Sequence, residues 1–290
     1  MSPRSDLDTL FALERQLRAL PEVPYRNRHG HPCQHPASLF SQSLAKVFHS
    51  MRAVTDSIPL DNPLEVNLRD WRRTADAIEV MLTALASHKD NLNTILHIVS
   101  GQDGATNMRK TARLLDDMFE ELVTRPLNQV KHHAHTIQAR CAASRHSIVY
   151  GYFICGMRED GAMGASPRAH GKAGSGWSVG STIRHVIGVL ISSAVLLRTT
   201  RCLPPLEATP TLPEQNVSDV RAIITWLQAA PLFCFPNEKE NGVPYLALES
   251  EHPIVRLKSL HRLKRIPRNG TFRFTVTWTV DSVTKSFSVL

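Results

Sequence analysis

With 290 residues, 42% hydrophobic and 21% charged, the chain has the length for one large domain or two unequal ones and the apolar content for a real core. This excludes disordered, collagen-like and disulfide-scaffold proteins. The formal charge is +8, and +7 of it falls between His252 and Leu290, where Arg256, Lys258, Arg262, Lys264, Arg265, Arg268, Arg273 and Lys285 face one acid, Asp281. A balanced body with a concentrated basic end favours an anionic partner, nucleic acid first and an acidic protein or membrane surface after it.

The first half reads as successive helices. Ser5 suits an N-cap for a segment with Leu7, Leu10, Phe11, Leu13, Leu17 and Leu20 on one stripe, stopped by Pro21. Phe40, Leu44, Val47, Phe48, Met51 and Val54 keep the same period, as do Leu68, Trp71, Ala75, Ile78, Leu82 and Leu85 continuing toward Val99. Gly101 to Gly104 breaks the chain, and Met108, Ala112, Leu115, Phe119 and Leu122 begin another stripe. Pro126 then fits the first turn of a helix expected to run through Asn128 to about Arg140.

Beyond this the pattern changes. Ile148 to Ile154 is rich in β-branched and aromatic residues and predicts a short strand. Gly156 to Gly180 holds seven of the 14 glycines and predicts a long irregular loop before an apolar helix over 181–200. Four prolines between Leu203 and Gln215 mark a linker. After it come a helix with Val220, Ile223, Ile224 and Leu227, a strand near Tyr245 to Leu248, and a basic helix with Ile254, Leu257, Leu260 and Leu263. Alternation in Phe272, Phe274, Val276, Trp278 and Val280, then in a second run after Asp281-Ser282, predicts a β-hairpin. The expected fold is therefore mainly α: a helical domain over 1–202 with a glycine-rich loop at 156–180, a linker at 203–216, and a smaller basic α+β region over 217–290 ending in the hairpin.

Five cysteines without repeating spacing, behind a start with no apolar signal segment, are expected to be reduced thiols in a cytoplasmic protein. The longest apolar run, Val186 to Leu197, is too short to span a bilayer and reads as a buried helix, so no membrane partner is expected.

On the helix expected beyond Pro126, Asn128, Lys131, His132 and His135 share a polar stripe that His146 joins if the helix continues. Imidazoles beside a lysine suit acid/base work on phosphodiesters, with a cation on the phosphate. His29, His31, Cys33 and His35 are residue types that zinc accepts, but four ligands at every second position of a proline-bearing segment wrap a tetrahedral ion poorly, so a histidine-rich surface loop and no metal are expected. Gly174, Gly176 and Gly180 lead into a helix N-terminus, a setting that favours phosphate, with a spacing that fits neither standard nucleotide fingerprint. No cofactor is expected.

Arg140 and His146, in RCAASRH, resemble the arginine-then-histidine motif of HEPN-type ribonucleases. The resemblance covers this segment alone. It implies a homodimer that cleaves RNA without metal, with Arg140 on the phosphate and His146 as acid/base. The leading expectation is thus a nucleic-acid-engaging protein, RNA before DNA, whose candidate catalytic set is Lys131, His132, His135, Arg140 and His146 and whose binding set is Arg256, Lys258, Arg262, Lys264, Arg265 and Arg268. The alternative is a noncatalytic assembly or adaptor subunit docking an acidic partner or nucleoprotein complex through its basic end. The residues leave open whether there is catalysis.

Overall fold

The structure, a computed structural model, describes residues 7–58, 60, 68–100, 105–133, 135–143, 148–158, 161–170, 176–199, 203, 204, 214–230, 235, 245–249, 254–258, 274–280 and 283–289. It is mainly α with a small antiparallel sheet, as the periodicities predict. Helix α1 (Asp8–Arg18) is followed by a two-strand ribbon, β1 (Tyr25–Arg26) and β2 (Pro32–Cys33), and by the long helices α2 (Pro36–Asp56) and α3 (Leu68–Ser100). The expected cap Ser5 and the Gly101 to Gly104 break lie outside the described residues. Helix α4 (Ala105–Phe119) passes through a π-helical turn at Glu120–Thr124 into α5 (Arg125–His133).

Here the chain departs from the expected helix. It ends at His133, and residues 136–143 form strand β3 (Thr136–Ala143), paired antiparallel with β4 (Ile148–Met157). The reason lies in the partner. Ile137, Ala139 and Cys141 alternate with polar residues, and opposite them stand Ile154, Tyr152 and Tyr150, so pairing puts one whole face of both strands into the helical core. That gain exceeds whatever helix propensity residues 136–140 hold.

Strand β5 (Met163–Ala165), the one-turn helix α6 (Pro167–His170) and β6 (Trp177–Ser178) follow, with β5 and β6 both paired to β4. Helix α7 (Val179–Arg198) is apolar almost all round and sits inside the fold. It is longer than the apolar run that announced it, and by length and composition it could cross a bilayer, but 67% of its apolar window is buried within the fold. Helix α8 (Glu214–Ala229) packs on α2 and joins the same core through Val220, Ile223, Ile224 and Leu227. The indole of Trp226 donates to the Ile58 carbonyl, and Arg184 of α7 donates to the Leu227 carbonyl.

The remaining strands are β7 (Tyr245–Glu249), β8 (Ile254–Lys258), β9 (Phe274–Val280) and β10 (Val283–Val289). Strands β9 and β10 pair antiparallel as the alternation predicts, with residues 281 and 282 outside the described residues, and β9 pairs with β3. The basic helix expected from Ile254 is instead strand β8, paired with β7. Ile254, Val255 and Leu257 within five residues are dense in β-branched and apolar side chains and match a strand better than one stripe of a helix. Leu260 and Leu263 of that expected helix lie outside the described residues.

Candidate nucleic-acid interface

Lys131, His132 and His133 make up the exposed last turn of α5, where cations meet the negative end of the helix dipole. His135 stands between α5 and β3. Its ring lies 5.9 Å from that of His133, centroid to centroid, and fills the space where any side chain at Gly156 would begin. Burial first, then the neighbouring charges of His133 and Arg168, hold the His135 imidazole below its ordinary range, so it is neutral at pH 7. Its Nδ1 is buried and has no hydrogen-bond partner among the described residues. Arg168, exposed on α6, reaches this group because α6 packs beside α5. Among the described residues none of Lys131, His132, His133, His135 and Arg168 is in an ion pair.

Arg140 takes no part in this cluster. A strand rises about 3.3 Å per residue, which puts Arg140 roughly 16 Å along the chain from His135. Its side chain is buried on the sheet face turned away from the main core, at 4.1 Å from the Phe235 ring centroid and 5.6 Å from that of Phe153, and its guanidinium fills the place a side chain at Gly176 would occupy. The expected stripe from Asn128 through His146 therefore does not exist as one helical face, and Arg140 is enclosed where it cannot meet a phosphate at the surface. His146 lies outside the described residues.

Next to Arg140 is a second histidine. The backbone amide of Ile154 donates to Nε2 of His170 at 2.8 Å, while Ser166 donates its amide to the Ile154 carbonyl, so the 166–170 turn closes the gap on β4 between the stretches paired with β6 and β5. The imidazole packs on Trp177 at 4.2 Å between centroids. Burial, with Arg140 adding to it, pushes its pKa down to about 3. Accepting at Nε2 fixes the proton on Nδ1.

Of the zinc and phosphate candidates, two have a structural role in helix capping. His35 is the N-cap of α2, its Nδ1 accepting from the Ala37 amide at 3.2 Å with Pro36 just inside the helix, while His29 and His31 are exposed on the ribbon. Among the described residues no group of three or more His, Cys, Asp or Glu side chains is placed to hold a metal ion. At the start of α7 the hydroxyl of the buried Ser178 accepts from the Ser181 amide, so that amide is capped from within the chain, and Gly174 lies outside the described residues. Of the basic end, Arg256 and Lys258 stand at alternate positions of β8, opposite Ala247 and Tyr245, and Arg262, Lys264, Arg265 and Arg268 lie outside the described residues.

Sequence reasoning named Lys131, His132 and His135 as candidates and did not name His133 and Arg168, which the structure sets beside His135. His133 falls off a stripe counted from Asn128, and Arg168 is distant in sequence. The available signal was Gly156, a glycine inside an apolar strand, which marks a close approach by another group. Comparison with protein-family models, curated proteins and solved structures finds no match to this chain.

Proposed function

We propose that the protein engages nucleic acid at the cationic cluster of Lys131, His132, His133, His135 and Arg168. The observation that carries the reading is that His133 and Arg168 adjoin His135 beside the exposed Lys131 and His132 of the last turn of α5, with none of these side chains in an ion pair among the described residues. Phosphates are the complementary ligand, held by Lys131 and Arg168. RNA is the nucleic acid on which the cluster has chemistry to perform. Its 2′-hydroxyl needs a neutral base, which His135 supplies, and the departing 5′-oxygen needs an acid, for which the neighbouring His133 is placed. Lys131 and Arg168 offset the charge that builds on the phosphate, and cleavage leaves a cyclic phosphate end without any metal.

Binding to a short fluorescent RNA measured across a salt series tests the reading. Affinity is expected to fall with salt at a log-log slope of about −0.7 per contacted phosphate on a single strand. Lys131→Ala with Arg168→Ala should weaken binding and flatten the slope. Cleavage in EDTA should vanish in His135→Ala. RNA bound but left intact removes the catalytic part and leaves a binding protein. Absence of salt-dependent binding to any RNA or DNA overturns the reading in favour of a noncatalytic adaptor that docks an acidic protein.

A further inference from the structure

Strand β4 has a gap on one edge. Its pairing with β6 covers Gly151 and Tyr152 and its pairing with β5 begins at Cys155, so among the described residues Ile154 has no strand opposite it there. Ile154 is fully buried, and a buried backbone amide and carbonyl need partners. The turn at 166–170 supplies both. The Ser166 amide donates to the Ile154 carbonyl at 2.8 Å, and the Ile154 amide donates to Nε2 of His170 at 2.8 Å. Within the turn the amides of Ala169 and His170 both donate to the Ser166 carbonyl, and the His170 ring packs on Trp177 of β6. Helix α6 is thus fastened to one strand residue at its start and again at its end. Residues two apart on a helical turn do not share a face, so with His170 turned in to the sheet the exposed Arg168 is turned out, beside α5 and His135.

We propose that His170 is a positioning residue for the cationic cluster: its bond to the Ile154 amide holds α6 on the sheet edge and so sets Arg168 beside His135. His170 touches no phosphate in this arrangement and acts through Arg168. The consequence for binding rests on the cluster being a phosphate site, whereas the placing of Arg168 does not. A helix of four residues has no stability of its own, so its place depends on what it is tied to. The Ser166 bond fixes only its start and leaves the turn free to swing about that point. What position 170 requires is an acceptor at the reach of Nε2. Glutamine carries its amide oxygen to that place, whereas leucine has similar volume and no acceptor.

NMR titration of the His135 imidazole tests this in wild type, His170→Gln, His170→Leu, Arg168→Ala and the His170→Leu/Arg168→Ala pair. Among the described residues His133 on α5 and Arg168 on α6 are the charged groups beside His135, so removing or displacing Arg168 should raise its titration midpoint toward the ordinary value. His170→Leu is expected to raise the midpoint as far as Arg168→Ala does, the pair no further, and His170→Gln to keep the wild-type midpoint. The salt slope of binding to a short single-stranded RNA should fall by about 0.7 in His170→Leu and in Arg168→Ala and stay unchanged in His170→Gln. An unchanged midpoint in folded His170→Leu overturns the proposal, whatever happens to its melting temperature. The wild type gives a check that needs no variant to fold: its ring-nitrogen shifts at pH 7 should place the His170 proton on Nδ1, and a proton on Nε2 overturns the proposal. Midpoints that move as expected in a protein without salt-dependent RNA binding overturn the phosphate site and leave the placing of Arg168 standing.

Discussion

The ring of His135 occupies the room left by the missing side chain of Gly156, one strand position before the exposed Met157. A methyl group at residue 156 would meet all of Nε2, Cδ2 and Cε1 of the imidazole, so the ring and not the strand must give way. Gly156→Ala is therefore expected to cut RNA turnover about tenfold or more. The melting temperature of His135→Ala/Gly156→Ala should match that of His135→Ala, because the clash has gone. A fully active Gly156→Ala would show that the position of His135 does not matter.

The bond from Ile154 to His170 makes the sheet edge sensitive to acid. The folded-state pKa of about 3 lies below the ordinary value near 6.5, so the unfolded chain takes up the proton first. The stabilisation is complete above about pH 6.5 and is lost progressively as pH falls toward 3. His170→Gln, whose amide oxygen still accepts from Ile154, should be less stable than wild type at pH 7 but should lose less on going to pH 5. Urea midpoints at the two pH values check this, and parallel pH dependence in the two proteins would refute it.

His88 is fully buried between α2 and α3, with Nδ1 2.7 Å from the Ser43 hydroxyl and its ring tilted against Phe40. Ser43 Oγ also lies 2.7 Å from the Leu39 carbonyl and donates to it, so it accepts from Nδ1–H and leaves Nε2 bare. Burial pushes the pKa down to about 3. The sign is the same as for His170, and the contribution lost on acidification is on the order of a few kcal/mol. His88→Leu should equal or exceed wild-type stability at pH 7, because it removes a buried acceptor without a partner. Ser43→Ala should cost about 1–3 kcal/mol, because it leaves the buried Nδ1–H donor without an acceptor. Thermal melts of both variants at pH 7 and pH 5 decide.

Arg140 is packed into the fold against the rings of Phe235 and Phe153. Arg140→Ala is expected to cost on the order of 2–3 kcal/mol from lost ring contacts and the cavity left behind. The salt slope of RNA binding should not change. A slope reduced by one phosphate contact with stability intact would restore Arg140 as a phosphate ligand.

The helices were legible because each displays its buried stripe within a few turns, as Phe40 to Val54 and Leu68 to Val99 do, and the β9–β10 hairpin because alternation is equally local. The strand at Ile148 to Ile154 was legible too, yet its partner was not. Thr136 to Ala143 has only Ile137, Ala139 and Cys141 to show for its alternation, and these gain meaning only opposite Ile154, Tyr152 and Tyr150. The helix expected through Arg140 follows from that one unread pairing. His35 offered a better signal than its neighbours' metal-binding chemistry, since a following proline marks a helix start. Arg168 meets His135 only through the turn at Gly161 and the packing of α6 on α5, a relation that no spacing in the sequence encodes.

Helix α8 lies beyond the proline-rich stretch, yet its apolar face is interleaved with α2, its indole is fastened to Ile58, and Arg184 reaches its end at Leu227. The Gln16 amide likewise donates to the Pro204 carbonyl. A protease that nicks the chain between residues 205 and 213 would therefore leave two fragments that remain together in native solution and separate only in denaturant. Severing the backbone there would not amount to removing a module.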